Sequence, residues 1–258
     1  MFTKNHVVVA ALSLLSASAF ALPSESQIFR AENGNPLGSV TADVLAARTA
    51  FLATLDNTVQ SFGFERPVNV GTGPTLDVSF TGSAGSINAS LVGNAGQQVM
   101  GQSVSGRFNT TNLGGQYWQV DSSSNGSFSI TFSRAISAFG FYGTDIGDFG
   151  GVLSLVLSPA NGGPDETLVV RPQSPQNAAG GSLLFFGFSD MNSEYSKITF
   201  LSSGTGTSSD YFGFDDFVVA DKGQIRVPTN PVPEPGSLAL AGLALFAAGY
   251  ARKARKAA

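Results

Sequence analysis

From Val59 onward the chain is written in short apolar-polar alternations separated by Gly, Ser, Asn and Pro. In the cleanest of them, Phe128-Ser-Ile130-Thr-Phe132, three apolar side chains fall on one face and two hydroxyls on the other. A period of two is strand grammar, and it recurs over 58–65, 75–81, 86–92, 116–121, 127–132, 136–143, 152–158, 167–171, 182–188, 195–202 and 211–219. Short strands that are apolar on one face must cover that face with another sheet. The pattern therefore predicts an all-β chain, a jelly-roll-like β-sandwich. The 21 phenylalanines sit at strand positions and would be exposed in a low-complexity linker, so the 31 glycines are read as turns of a packed domain. Which strands pair is left open.

One segment breaks the alternation. Over residues 39–58, Val44, Leu45, Ala47, Phe51, Leu52 and Leu55, with Val59 just beyond, recur at helical spacing. Ser39 or Thr41 can cap the start and Asp56-Asn57 the end, with Arg48 on the polar side. The polar face has no lysine cluster, so the helix is expected to pack on the sandwich rather than on a membrane.

The first residues carry Lys4, then an apolar run from Val7 to Leu15, then Ser-Ala-Ser-Ala19-Phe20-Ala21. This is the pattern of a Sec-type signal peptide spanning 1–21, with Ala19 and Ala21 at the small-residue positions of the cleavage site. Its removal takes away His6, the only histidine, and the sequence has no cysteine. Ser-His-Asp and Cys-His catalysis, His/Cys zinc sites and disulfides are thereby excluded. Oxygen chemistry remains. Between Leu22 and Val232, nine Lys/Arg face seventeen Asp/Glu, a net charge of −8. Nucleic acid, which binds through basic patches, is excluded as a partner on that ground.

The C-terminus is a separate device. Pro228, Pro231, Pro233 and Pro235 impose an extended spacer, Leu238 to Ala251 are fourteen apolar or small residues, and Arg252, Lys253, Arg255 and Lys256 follow. As a helix the apolar stretch rises ~21 Å against a hydrocarbon core of ~30 Å, a weak anchor whose cations set a cytoplasmic end. The triplet Pro233-Glu234-Pro235, the apolar stretch and the basic end together resemble the PEP-CTERM sorting signal of Gram-negative bacteria. The resemblance implies recognition by an exosortase, a membrane protease of the transpeptidase kind, with cleavage near the triplet. It also implies a transient inner-membrane stage and an association with exopolysaccharide and biofilm.

The densest acidic run is Asp210-Tyr-Phe-Gly-Phe-Asp215-Asp216-Phe217, joined by Phe62-Gly-Phe64-Glu65 and by Asp145 and Asp148 in a Gly-rich loop. Adjacent acids in a regular strand point to opposite faces, so one of Asp215 and Asp216 is expected at an edge or on a ligand. The phrases Phe-x-Phe-Glu and Gly-Phe-Asp-Asp-Phe-Val-Val resemble exported PEP-CTERM ectodomains and, more loosely, calcium-containing carbohydrate-binding jelly rolls. That resemblance implies a structural Ca²⁺ site at Glu65, Asp215 and Asp216, with Asp145 and Asp148 behind them. The same acids also read as solvated turn residues. Tyr117 and Trp118 are candidates for stacking on a sugar ring, with core packing as the other reading. The sequons at Asn88, Asn109 and Asn125 are assigned no role.

These readings divide the chain into a signal peptide (1–21), an N-terminal segment with the helix (22–57), a sandwich (58–221), a linker (222–232) and a sorting signal (233–256). The expected function is that of an exported surface or matrix protein, structural or adhesive and not an enzyme. A calcium-supported carbohydrate-binding module is the alternative, with extracellular polysaccharide as partner. Carboxylate-only glycoside hydrolysis is a remote third, because Asp145 and Asp148 in one loop do not define the carboxyl separation it needs.

Overall fold

In a computed structural model, residues 27–34, 39–65, 75–93, 97–100, 106–121, 127–146, 151–171, 182–204 and 211–226 are described. Thirteen strands are seen among them: β1 Ile28–Asn33, β2 Ser61–Phe62, β3 Thr75–Gly82, β4 Gly85–Gly93, β5 Gln97–Met100, β6 Gln116–Asp121 and β7 Ser127–Ile136, followed by β8 Ala138–Thr144, β9 Gly151–Pro159, β10 Glu166–Arg171, β11 Leu183–Ser189, β12 Tyr195–Gly204 and β13 Tyr211–Ala220. One sheet runs β1-β11-β8-β13-β6-β5, with β2 added on β13, and the other runs β10-β9-β12-β7-β4-β3. Every pairing is antiparallel. The expected two-sheet sandwich is the observed fold.

The alternation read in the sequence sorts side chains as it should. Phe128, Ile130 and Phe132 face inward with Phe139, Phe141, Phe186, Phe188, Phe200, Phe214 and Phe217. Phe128 and Phe200 are register partners on β7 and β12, and their rings stack at 4.2 Å between centroids. Burying each such ring contributes ~1.5–3 kcal/mol, which is how a chain without disulfides holds together.

A second, smaller cluster lies outside the seven-stranded sheet, beneath the one helix, α1 (Ala42–Ala53). Val44, Phe51 and Leu55 pack there on Ala138, Tyr142, Leu183, Phe185 and Val218. β8 and β11 are therefore buried on both faces, which explains why their sequences are nearly continuous apolar runs. The helix is shorter than the predicted 39–58. Thr54 Oγ1 donates to the Phe51 carbonyl at 2.7 Å, and Leu55 leaves the helix to bridge Ile225.

Two strands escaped the sequence reading. β1 lies in the N-terminal segment 22–57, ahead of the predicted helix, and it pairs along the outer edge of β11. β5 pairs with β6. The strand expected at 58–65 shrinks to Ser61–Phe62, because Phe64 takes a left-handed backbone with φ 58°. The compact unit ends at Ile225. There a short 3-10 turn, Lys222–Gln224, ties the C-terminal side down: Gln224 Nε2 donates to the Thr81 carbonyl at 3.0 Å, and Asp221 Oδ2 accepts from the Ser83 amide at 2.9 Å.

Candidate functional site

β13 runs through the middle of the seven-stranded sheet, and its regular pairing breaks at the two acids. Asp215 is the partner of Tyr142 and Val218 that of Gly140, so one extra residue is inserted on β13. Asp216 takes up the insertion with φ 50°. This bulge corrects the expectation that adjacent acids diverge. Phe214 and Phe217 both enter the inter-sheet core, while Asp215 and Asp216 both turn to the opposite side and meet Thr110 and Thr111.

The meeting is close. Asp215 Oδ2 accepts from the Thr110 amide at 2.7 Å, the Thr110 hydroxyl at 2.9 Å and the Thr111 amide at 3.2 Å, and Oδ1 accepts from the Asp216 amide at 2.8 Å. Thr111 Oγ1 lies 3.2 Å from Asp216 Oδ1. Asn109 joins the acids of two segments, its Nδ2 being 2.6 Å from Glu65 Oε1 and 3.2 Å from Asp215 Oδ2. Glu65 also accepts from the amides of Gly115 and Gln116 at 2.9 and 3.0 Å. Gly63 and Gly114 permit this approach: a Cβ on the first would strike Thr111 Oγ1, and on the second the Glu65 carboxylate. Asp215 is 1 % exposed, and burial with the neighbouring Asp216 charge pushes its carboxyl up to about 8, against the pull of the Thr110 and Asp216 amides.

The predicted trio Glu65, Asp215 and Asp216 is thus brought together, on one loop. Asp145 is spent elsewhere, 3.2 Å from Arg107 Nη1. Asp148 lies outside the described residues, as do Ala19, Ala21, Pro233, Glu234, Pro235, Arg252, Lys253, Arg255 and Lys256. The trio does not fit a hard cation. Ca²⁺ needs 6–8 oxygen ligands with lone pairs aimed at one point, whereas the oxygens of Glu65 and Asp215 are aimed at N–H and O–H donors. Among the described residues, no group of three or more Asp, Glu, His or Cys is placed to hold a metal ion.

The aromatic platform is also corrected. Tyr117 is 0 % and Trp118 3 % exposed, and the indole is parallel to Phe64 in the core at 6.1 Å. An alternating strand buried on both faces offers no ring to solvent, so neither residue stacks on a sugar from here.

What the clamp holds up is the rest of loop 106–115, which borders a cleft of about 670 Å³ against α1. Arg48 lies over the Tyr142 ring, 5.6 Å from its centroid, and donates from Nη2 to Ser61 Oγ at 3.2 Å. Burial pushes the Tyr142 phenol up to about 12, with the Arg48 charge opposing and Asp216 and Asp215 adding to the rise. Asp216 closes the cleft floor and Leu45 and Leu113 form its rim. Sequence reasoning missed Asn109, Thr110, Thr111 and Leu113. The available signal was Asn109-Thr-Thr111 itself, which reads as a sequon and was given no role.

Residues 231–256 match the family profile described as the PEP-CTERM protein-sorting motif. The chain carries a PEP-CTERM sorting tail. A protein with this tail is marked for exosortase-dependent export to the cell surface. No curated protein matches the PEP-CTERM chain in sequence. Among solved structures, its body is similar to the cleaved adhesin domain of Lys-gingipain from Porphyromonas gingivalis (11% identity, 64% of this chain and 99% of that one, TM-score 0.33). It is also similar to the family 11 carbohydrate-binding module from Clostridium thermocellum with a β-1,3-1,4-mixed-linked tetrasaccharide (10% identity, 63% and 95%, TM-score 0.30). A third is TmCBM61 with β-1,4-galactotriose (16% identity, 51% and 86%, TM-score 0.28). Likeness this distant carries no functional argument.

Proposed function

We propose that the chain is a surface or extracellular-matrix protein, structural or adhesive in an exopolysaccharide or biofilm setting, whose body is released from a transient inner-membrane stage by an exosortase. The observation that carries this reading is the sorting motif at 231–256, which begins just after a body closed at Ile225. In sequence, seven residues, 226–232, lie between the end of that unit and the triplet. The body acts by binding rather than by chemistry. Among the described residues, Glu65 and Asp215 accept from backbone amides and hydroxyls rather than facing each other across an open site, which speaks against a glycosidase pair there.

The test is replacement of Pro233-Glu234-Pro235 by three alanines in the source organism, followed by fractionation. The body is expected to stay folded and accumulate in the inner membrane. Unchanged surface delivery would defeat the proposal.

Carbohydrate binding remains as a second reading because of the cleft beside α1, whose walls combine a guanidinium, a carboxylate, hydroxyls and aliphatic side chains.

A further inference from the structure

Leu113 is 100 % exposed and holds a left-handed backbone at φ 61°. A branched apolar residue in that conformation, with nothing to pack against, costs free energy twice, in backbone strain and in exposed hydrocarbon. Yet the loop presenting it is held at several points, with Phe108 buried, Arg107 on Asp145 and Gln119, and Asn109 to Thr111 clamped by Glu65, Asp215 and Asp216. Strained residues held in place by their surroundings cluster at ligand clamps and other functional sites.

Across from Leu113, Leu45 of α1 is 48 % exposed. The two leucines rim the cleft, and the groups between them are polar. Arg48 lines the cleft with its guanidinium over the Tyr142 ring, and of that group Nη2 donates to Ser61 Oγ at 3.2 Å. Asp216 faces the same space and, among the described residues, makes no ion pair with Arg48. A strong donor and a strong acceptor therefore stand in one cleft without neutralising each other.

We propose that this cleft is a subsite for a neutral polyhydroxylated ligand, a segment of uncharged polysaccharide. The inference rests on the carbohydrate-binding reading and deepens it. Adjacent hydroxyls on a sugar accept from a guanidinium and donate to a carboxylate at once, which matches Arg48 and Asp216. An anionic ligand would meet Asp216 and a body of net charge −8, and a cationic one would meet Arg48. The C–H face of a sugar ring packs on aliphatic surface, which Leu45 and Leu113 supply. The cleft volume of about 670 Å³ lies within the usual ~300–1,000 Å³ of ligand pockets. Binding of this kind needs neither calcium nor Tyr117 and Trp118.

The experiment is native affinity electrophoresis of the full-length protein through gels containing dextran, mixed-linkage β-glucan or galactan, with alginate as the anionic control. Leu113→Ser and Arg48→Met are run beside the parent, with thermal melts of all three. Retardation by at least one neutral polymer and not by alginate is expected, weakened about tenfold or more in each variant. The serine variant removes only a fully exposed side chain, so its melt is expected unchanged. Retardation equal in parent and both variants overturns the cleft and leaves carbohydrate binding standing. No retardation of the folded parent by any neutral polymer overturns both.

Discussion

Gly140 and Gly187 stand directly opposite each other in the β8–β11 ladder, and the ring of Phe51 occupies the space their missing side chains leave. A Cβ on Gly140 would come within 2.6 Å of the Phe51 ring, and one on Gly187 within 3.0 Å. The glycines are what lets the helix approach the sheet and place Arg48 at the cleft.

Gly140→Ala is therefore expected to destabilise the body by ~1–3 kcal/mol through overpacking, and Phe51→Ala by ~3–5 kcal/mol. In the Phe51→Ala background the Gly140→Ala cost should fall close to zero, because the clash partner is gone. Urea unfolding of the four proteins measures the coupling. Simple additivity would show that the ring does not sit where the two glycines meet.

The Asp215 carboxyl is raised from its ordinary value of 3.8 to about 8. The folded state thus holds this proton more tightly than the unfolded chain. The resulting stabilisation is fully present below about pH 4 and is lost as pH rises through about 8. The melting temperature of the body should carry a component that declines between these limits, and Asp215→Asn should remove it. A melting temperature whose decline over this range is unaltered by the substitution would contradict the protonation.

Leu113→Gly should not weaken the body. Relief of left-handed strain is worth ~1–2 kcal/mol, set against a larger loss of backbone freedom in the glycine variant of ~0.5–1 kcal/mol. A rise in melting temperature of up to about 2–4 °C is the expected result. A fall would mean that the side chain makes a stabilising contact.

Because Glu65 and Asp215 are occupied by N–H and O–H donors, chelation should leave the melting curve where it was. The comparison is between full-length protein with EDTA and with added calcium. A drop restored specifically by calcium would reinstate the metal reading of Glu65, Asp215 and Asp216.

The sandwich was legible because alternation encodes facing: Phe128, Ile130 and Phe132 had to turn inward together, and they do. β1 was less visible because Ile28–Asn33 ends in Arg-Ala-Glu-Asn, with no second apolar repeat, and owes its strand to pairing with β11. The proximity of Glu65 to Asp215 and Asp216 was anticipated, but its chemistry was not. A bulge is a register event between strands, so nothing in Phe214-Asp-Asp-Phe217 announces that both acids share a side. The clamp on Thr110 and Thr111 is likewise invisible, since its partners lie more than a hundred residues apart.

Export through the C-terminal motif is read from the mass of the mature protein recovered from the cell surface. A C-terminus near Pro233-Glu234-Pro235 is expected, with loss of everything from Leu238 to Ala258. Surface protein that retains Arg252, Lys253, Arg255 and Lys256 would contradict it.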